Sequence, residues 1–284
     1  MDKNIILWQL SEPYASILSP VDFTGLEEIR FRVNRPISLY YHRQNCLLPN
    51  VVVSEDIEAL AAALCNHSVY AYLNDLKDGF ITIRGGHRVG LAGKCVKKDG
   101  QITGITAISG INLRIARQFP GCAAKLAHHL KTSTGIKNTL LISPPQCGKT
   151  TYLRDLARIF SVENKVTIID ERSEIAGTYE GMPQFDVGPQ TDVLDRFPKA
   201  TGMLMALRSL SPQILITDEL GGVDDIEAIH QISGAGCRII ASVHGDDLTE
   251  LKLCKNDLLS FFDVAVMMGR QNGLPAILSI QNLR

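Results

Sequence analysis

A short segment near the middle of the chain combines residue types that can bind a polyphosphate. Residues 138–142 form an apolar run typical of a buried parallel strand, and apolar residues recur at helical spacing over 152–160. The intervening residues 143–151 are a variant of the phosphate-binding sequence G-x-x-x-x-G-K-[ST]. Backbone N–H groups and the positive end of the new helix can surround phosphate oxygens. Lys149 can supply charge to the outer phosphates and the Thr150 hydroxyl can bind Mg²⁺, so this segment predicts binding of ATP with Mg²⁺.

The segment 143–151, called the phosphate loop below, departs from the usual motif at its first position. Ser143 stands where a glycine is expected, and it precedes Pro144, whose ring favours extended backbone at the residue before it. Extended geometry suits the end of a strand, so we interpret Ser143 as a tolerated variant. The alternative is a chance Gly-Lys-Thr in a loop, but the strand before it and the helix after it favour nucleotide binding. The residues predicted to contact the nucleotide are Ser143, Pro144, Pro145, Gln146, Cys147, Gly148, Lys149, Thr150 and Thr151.

A second apolar strand, residues 214–217, ends in two carboxylates. Because the carboxyl ends of parallel strands meet at one edge of a sheet, Asp218 and Glu219 are expected to face the phosphate loop. We predict that Asp218 holds Mg²⁺, through a bound water, and that Glu219 orients or deprotonates the attacking water. The alternative for such a pair is helix capping. The phosphate loop upstream favours catalysis.

The strand one step earlier, residues 166–169, repeats this design with Asp170 and Glu171. A second acidic pair at the same edge would place more negative charge near Mg²⁺·ATP. Glu171 is therefore the second candidate for orienting the attacking water. The alternative is a solvated start of a loop.

Histidine and arginine residues supply further candidates. His244 follows the apolar strand 239–243 at the same sheet edge, where it could detect the γ-phosphate by hydrogen bonding or serve as a structural donor. His87, by contrast, lacks an acidic or cysteine partner at metal-ligand spacing and is expected to be a packing or surface residue. Four arginines lie in or after the glycine-rich segment 79–93. They could bind phosphate, including phosphate held by a neighbouring subunit, or they could form a solvated strand face. They are Arg84, Arg88, Arg114 and Arg117.

The pattern of predicted helices and strands changes near residue 118, which suggests two domains. Residues 1–118 suggest an N-terminal α+β domain, and residues 119–284 alternate strands and helices as a parallel sheet covered on both faces requires. Within this second domain, residues 173–197 suggest a long functional surface loop. Its strands are predicted at 138–142, 165–170, 213–218, 238–243, 264–268 and 276–280, and its helices at 124–132, 149–161, 198–210, 224–234 and 247–260.

The N-terminal region carries weaker signals. Strands are predicted at 26–34, 37–41, 102–106 and 111–117, with a hairpin turn at 99–100. Helices are predicted at 55–64, with Ser54 as the N-cap, and at 69–76.

Composition limits the classes of function. The chain has 284 residues and a net charge of −1, so a bulk polyanion is not an expected partner and no nucleic acid is expected. Seven scattered cysteines without a C-x-x-C pair indicate a reducing compartment. No apolar run approaches the span of a bilayer. We therefore expect a cytoplasmic protein without direct membrane insertion, docked at most on a membrane partner.

Taken in order, the motifs resemble those of secretion ATPases of the type II/IV superfamily. The matching segments are the phosphate loop, 169–172, 215–219 and 242–244, which correspond to the Walker A, Asp box, Walker B and His box of that superfamily. The chain is similar still more closely to the stage III sporulation ATPases of endospore formers. That similarity is carried by residues 80–93, 169–177, 186–196, 200–211 and 214–221.

The resemblance implies a RecA-like parallel-sheet ATPase core with a smaller α+β N-terminal domain, assembled as a hexamer in the cytoplasm of the mother cell. It implies Mg²⁺-dependent ATPase activity that energises assembly of, or transport through, a secretion-like channel between mother cell and forespore. An integral membrane protein of the same complex is the implied partner. The four arginines named above match the superfamily's N-terminal arginines, which reach nucleotide near a domain or subunit boundary.

A RecA-like sheet also implies an order of strands. The strand ending at His244 is expected between the phosphate-loop strand and the strand ending at Asp218, with the Asp170 strand further out. Two other functional classes stay open at this stage. One is a RecA-like ATPase that depends on nucleic acid, disfavoured by near-neutral charge and the absence of interleaved aromatic and basic residues. The other is a nucleotide-regulated scaffold with little turnover, disfavoured by the intact acidic pairs.

Overall fold

The computed structural model describes residues 3–41, 44–65, 79–98, 100–133, 135–254 and 256–284. The helix predicted at 69–76 and the first residue of the predicted turn at 99–100 lie outside these ranges. The chain forms two compact units, one of Met1–Gln118 with Gly177–Gln184 and one of Phe119–Ala176 with Phe185–Arg284. The segment Gly177–Gln184, which the sequence places in the second domain, thus clusters with the first unit.

The first unit is built on a six-stranded antiparallel sheet in the order β3-β2-β1-β6-β5-β4. Its strands are β1 (Leu26–Arg32), β2 (Pro36–Tyr41), β3 (Gln44–Val51), β4 (Ile81–Ile83), β5 (His87–Lys98) and β6 (Gln101–Arg114). Its described helices are Lys3–Trp8, Tyr14–Leu18 and Ser54–Leu64. The strand predicted at 102–106 and the first part of the strand predicted at 111–117 form one continuous strand, β6, because both pair with β5, and β6 ends at Arg114.

Alternation along the strands decides which face of this sheet is buried. Ile29 and Phe31 of β1 and Val89 of β5 are buried, whereas the intervening residues of β1 are partly or fully exposed. The buried face packs against Ile57 and other apolar residues of the helix Ser54–Leu64. The predicted N-cap at Ser54 is wrong by one residue. Val53 has the extended backbone of the N-cap, and Ser54 is the first helical residue with no capping side-chain bond.

The glycine-rich segment makes a tight connection between β4 and β5. Gly85 and Gly86 have φ values of +89° and +73°, a region that a residue with a Cβ adopts at a steric cost. The turn places His87 in the interior, where its Nδ1 accepts the N–H of Ala116 at 3.1 Å. Burial lowers the pKa of His87 to about 4, so the ring is neutral and has the packing role expected from the sequence.

The second unit is built on a seven-stranded sheet in the order β11-β10-β12-β13-β9-β14-β15. Neighbouring strands are parallel except for β14 and β15, which form an antiparallel hairpin at one edge. The strands are β9 (Thr139–Ser143), β10 (Val166–Asp170), β11 (Thr191–Asp195), β12 (Ile214–Thr217), β13 (Arg238–His244), β14 (Val264–Gln271) and β15 (Leu274–Asn282). A separate two-stranded ribbon pairs β7 (Lys131–Thr132) with β8 (Gly135–Ile136).

Helices cover both faces of this sheet. They are Ala124–Leu130, Lys149–Phe160, Lys199–Ser209, Val223–Gly234, Leu248–Cys254 and Asn256–Leu259. Alternate residues of each central strand enter opposite apolar cores: Leu141 packs with the helix Lys149–Phe160, and Leu140 packs with residues of the helix Val223–Gly234. The order β10-β12-β13-β9 is the expected one, so four strand ends that carry candidate residues lie side by side.

One expectation for this unit requires correction. Residues 173–197 are not simply a surface loop, because they include the edge strand β11 and the buried residues Ile175, Ala176 and Val187. The sequence signal was obscured because β11 is a short edge strand without buried residues. In the region predicted as a helix at 247–260, helix is described over Leu248–Cys254 and Asn256–Leu259, and residue 255 lies outside the described residues. Among the described residues, no helix has the length and apolar character needed to span a membrane.

Candidate active site

The phosphate loop connects the end of β9 to the helix Lys149–Phe160 through two residues with left-handed backbone. Gln146 has φ +61° and Gly148 has φ +85°. A Cβ on Gly148 would also lie 2.9 Å from the Cβ of Pro275, so glycine is required there by both backbone and space. Arg270 of β14 donates an Nη2 hydrogen bond to the carbonyl of Gln146 at 2.9 Å. Arg270 and Pro275 support the loop from β14 and β15, and sequence reasoning did not identify either residue.

Lys149, the first residue of the helix that follows the loop, is buried. Its ammonium donates to the carbonyl of Ser143 at 2.7 Å, to the hydroxyl of Ser143 at 3.1 Å and to the carbonyl of Pro144 at 3.2 Å. Burial lowers the pKa of Lys149, while the nearby charges of Glu219 and Asp218 oppose that shift. The serine that replaces the usual glycine thus gives the lysine an additional acceptor.

A chain of polar contacts leads from Lys149 to Glu219. In the register of the sheet, Ser143 is directly opposite His244, which brings the Lys149 ammonium to 3.1 Å from the histidine Nδ1. The Nε2 of the same ring lies 2.7 Å from Oε1 of Glu219. The other carboxylate oxygen, Oε2, lies 3.1 Å from Nη1 of Arg172. The structure therefore brings together three residues predicted from the sequence and one that was not.

Glu219 is held in an unusual conformation. Its φ is +45°, and its N–H donates to the hydroxyl of Ser242 at 3.0 Å. Partial burial would raise the pKa of this carboxylate, but the hydrogen bond and charge of His244, together with Arg172 and Lys149, lower it. Glu219 is therefore ionised and can accept a proton or orient a water molecule.

Asp218 is almost completely buried beside Glu219. Burial raises the pKa of Asp218 to about 7, the charge of Asp170 contributes in the same direction, and Lys199 opposes the shift. A buried carboxylate whose negative charge is poorly compensated fits the hard oxygen donor that Mg²⁺ prefers. The described residues contain no group of three or more His, Cys, Asp or Glu side chains that could enclose a metal by themselves.

The second acidic pair has a different structure from the first. Asp170 is fully buried, and its carboxylate accepts the N–H groups of Glu174 at 2.7 Å and Ala176 at 2.8 Å. Burial raises the pKa of Asp170 to about 6 although these hydrogen bonds oppose the shift. Asp170 thus organises residues 171–176 and does not present free charge toward a nucleotide, and it is not the solvated loop start that was the alternative.

Glu171 is paired with Lys199, the first residue of the helix Lys199–Ser209. This lysine is nearly buried, and its charge also acts on Asp218. Sequence reasoning missed Lys199 because a lysine at the start of a helix has no distinctive pattern. The acidic edge of the sheet is therefore partly neutralised by the chain itself.

The role of Asp170 leads to a stability prediction. Asp170→Ala should lower the free energy of unfolding by about 1–3 kcal/mol for each buried N–H that loses its acceptor. Asp170→Asn keeps one acceptor oxygen, so the loss should be smaller. Urea denaturation measures both, with Asp192→Ala as a control because Asp192 is exposed on the neighbouring strand β11. Equal stability of Asp170→Ala and the parent protein would contradict the assigned role.

The four predicted arginines belong to the first unit, whereas the phosphate loop belongs to the second. Arg84 stacks on Trp8 with a distance of 5.7 Å from guanidinium carbon to ring centroid, and Arg88 stacks on Phe80 at 4.2 Å. Arg114 is exposed and lies opposite Arg88 in the register of β5 and β6. The Nη2 of Arg117 donates to the carbonyls of Phe23 and Leu26, at 2.8 and 2.9 Å, and so stabilises the start of β1.

Comparison with known proteins adds information on family and fold. The model of the family described as "Sporulation stage III, protein AA" matches residues 6–284. The stage III sporulation protein AA of Bacillus subtilis (strain 168) is 44% identical over 257 residues, which cover 87% of this chain and 83% of that protein. The match therefore includes both units of the chain.

Solved structures show a similar fold. The ATPase DotB from Yersinia pseudotuberculosis superposes with a TM-score of 0.62 at 16% identity, covering 97% of this chain and 81% of that one. The pilus retraction motor PilT, solved with bound ADP, gives a TM-score of 0.61 at 13% identity, with coverage of 94% and 82%. At these identities the likeness concerns the fold alone. The fold is a RecA-like parallel-sheet core with a smaller N-terminal α+β domain, as the sequence predicted.

Proposed function

The chain belongs to the sporulation stage III protein AA family, and from this premise we propose that it is a Mg²⁺-dependent ATPase. The proposal draws on the similarity of the fold to that of DotB and PilT, whose names identify an ATPase and a motor. Within the chain it rests on one observation above all. The contacts from Lys149 through His244 to Glu219 connect a phosphate-binding lysine to an ionised carboxylate at one sheet edge.

Each residue of this edge has a proposed role. The loop 143–151 surrounds the phosphates with its N–H groups, and Lys149 donates to the outer phosphates. Thr150 and Asp218 would hold Mg²⁺, which supplies charge stabilisation to the phosphates when bound. Glu219 orients and deprotonates the attacking water, His244 orients Glu219 and responds to the γ-phosphate, and Glu171 assists from the flank.

Measurement of phosphate release tests the ATPase proposal directly. Purified protein should release phosphate from ATP in the presence of Mg²⁺ and lose this activity in excess EDTA. Single-stranded DNA should not stimulate the rate, and stimulation that falls with salt would favour the nucleic-acid-dependent alternative. ATP binding without any turnover would favour the scaffold alternative. The same samples give the oligomeric mass with and without nucleotide.

The cellular part of the proposal follows from the family. We propose that residues 1–118 and 119–284 act as two domains of a subunit in a cytoplasmic homo-oligomer, with a hexamer as the expected form. ATP hydrolysis would energise assembly of, or transport through, a secretion-like channel between mother cell and forespore during sporulation. Attachment to the membrane would be through an integral membrane protein of the same complex. Co-purification of such a protein from sporulating cells is the corresponding test.

The first-unit arginines provide a prediction about assembly. Combined Arg84→Glu and Arg88→Glu should reduce the ATPase rate or the oligomer mass without unfolding the subunit, because reversed charge would repel phosphate or a neighbouring acidic surface. Arg35→Glu is the control, since Arg35 is exposed in the turn between β1 and β2. Mass in solution and phosphate release are measured together. If both values stay at those of the parent protein, these arginines form only a solvated strand face.

A further inference from the structure

Arg172 contacts the carboxylate of Glu219, and no sequence pattern assigned a role to it. Its Nη1 lies 3.1 Å from Oε2, while Nε2 of His244 lies 2.7 Å from Oε1. The two oxygens of one carboxylate are therefore held by two different elements. His244 ends the strand β13, and Arg172 belongs to the loop that follows β10.

The loop that carries Arg172 is anchored on both sides. Asp170 accepts the N–H groups of Glu174 and Ala176, so the loop closes back on the end of β10. From the helix after the phosphate loop, Arg154 donates to the carbonyls of Glu174 and Ile175. The guanidinium carbon of Arg154 also lies 3.9 Å from the ring centroid of Phe185. Arg172 is thus presented from a fixed backbone and not from a loose loop.

The backbone of Glu219 is also fixed. In addition to the N–H bond to the Ser242 hydroxyl, the next residue, Leu220, donates its N–H to the carbonyl of Ser242 at 2.8 Å. A glutamate side chain nevertheless has three rotatable bonds, and a fixed backbone does not fix its carboxylate. The orientation of the carboxylate depends on its two side-chain partners, Arg172 and His244.

The geometry points to Arg172 as a positioning residue that holds the Glu219 carboxylate in the orientation from which it acts on water. This inference rests on the proposed ATPase activity and extends it to Arg172, which lies in the matched segment 169–172 but was assigned no role from the sequence. Arg172 acts through Glu219 and needs no contact with nucleotide. Its role is therefore separate from phosphate binding by the loop.

If Arg172 had a purely structural role, Arg172→Ala would lower the melting temperature. A positioning role predicts a lower kcat without that change. The side chain of Arg172 is 59% exposed, and ion pairs this exposed contribute little to the free energy of unfolding. Arg172→Ala should therefore leave the melting temperature near that of the parent protein. Displacement of a reacting group by about 1 Å can cost about 100-fold in rate, so kcat should fall by about 10- to 100-fold while KM for ATP stays unchanged.

The experiment compares steady-state ATPase kinetics and thermal melting of three variants with the parent protein. Arg172→Lys keeps a positive charge without the planar fork, so it should recover part of the rate that Arg172→Ala loses. Arg238→Ala is the matched control. Arg238 begins β13, the strand that ends at His244, and seven extended residues place it about 20 Å from that end. Its kinetics should match those of the parent protein.

A double substitution tests whether Arg172 acts through Glu219. In single-turnover measurements, adding Arg172→Ala to Glu219→Gln should cause no further loss, because the residue that Arg172 positions has already lost its function. An additional loss of the full size would overturn the inference. An increase in kcat of Arg172→Ala would also overturn it, since Arg172 would then restrain Glu219 in a resting state. A higher KM with unchanged kcat would show direct action on nucleotide and would overturn it as well.

The phosphate release measured for the parent protein distinguishes a failure of the inference about Arg172 from a failure of the ATPase proposal on which it rests. A parent protein without Mg²⁺-dependent phosphate release would refute the ATPase proposal, and the role of Arg172 with it. An active parent protein with an equally active Arg172→Ala variant would refute only the role of Arg172. An equal loss in Arg238→Ala would mean that the effect is not specific to the Glu219 carboxylate, and would refute it too.

Discussion

Glu219→Gln is expected to retain ATP binding and to lower turnover by about 10²–10⁴-fold, the usual effect of losing a general base. Glutamine keeps the shape of the side chain and an oxygen that can accept from Nε2 of His244, which contacts Oε1 at 2.7 Å. It loses the negative charge and the ability to take a proton from water. Paired measurements of ATP affinity and single-turnover hydrolysis test this expectation. Any ATP-dependent oligomer should persist because the nucleotide is bound and not consumed.

Glu171→Gln is the matched variant on the neighbouring acidic pair. Glu171 forms an ion pair with Lys199, and β10 lies two strands further from β9 than β13 does. Both features place Glu171 at the flank, so its loss should slow hydrolysis less than the loss of Glu219. A deeper defect in Glu171→Gln, with Glu219→Gln near the parent rate, would reverse the assignment of the two glutamates.

Lys149→Ala is expected to weaken ATP binding by about 10- to 150-fold while the fold remains intact. Loss of a charge-assisted contact costs about 1.5–3 kcal/mol, and each 1.4 kcal/mol corresponds to a factor of ten. The fold should tolerate the change because the buried ammonium carries a desolvation cost, seen in its lowered pKa, that offsets its bonds to Ser143 and Pro144. Isothermal titration with ATP measures the affinity, and thermal melting without nucleotide measures the fold.

Lys165→Ala is the control for this variant. Lys165 is an exposed lysine immediately before β10, at the edge of the sheet opposite the phosphate loop. Its removal should change neither affinity nor melting temperature. If Lys149→Ala folds and hydrolyses ATP at the parent rate, the phosphate loop has been assigned to the wrong residues.

The sequence by itself determined the parallel core and the strand ends at which the candidate site residues lie. Apolar runs such as 138–142 can be stable only when both faces are buried, so they indicate a central strand without any knowledge of the fold. A polar residue directly after such a run must then lie at the carboxyl edge of the sheet. This local reasoning located the phosphate loop, Asp218, Glu219 and His244, because the relevant signal is contained within a few consecutive residues.

Local pattern did not reveal how neighbouring polar residues divide their roles. Asp170 and Asp218 occupy equivalent positions at the ends of apolar strands. The carboxylate of Asp170, however, accepts hydrogen bonds from backbone N–H groups of the loop that follows it. That outcome depends on how the following residues close back on the sheet. The strand β11 was missed for a different reason, since it is a short edge strand without buried residues and lacks the apolar run that identified the central strands.

Only the tertiary structure decided which cationic side chains contact the candidate site residues and the phosphate loop. Arg172 meets Glu219 across 47 positions of chain, and Arg270 reaches the carbonyl of Gln146 from β14. Lys199 likewise meets Glu171 from the start of a helix. Each is a common surface-type residue whose partner is selected by strand order and loop closure, which no short window of sequence contains. Burial of the strands therefore placed the candidate site residues at one edge of the sheet, and long-range packing selected the cationic side chains that contact them or their loop.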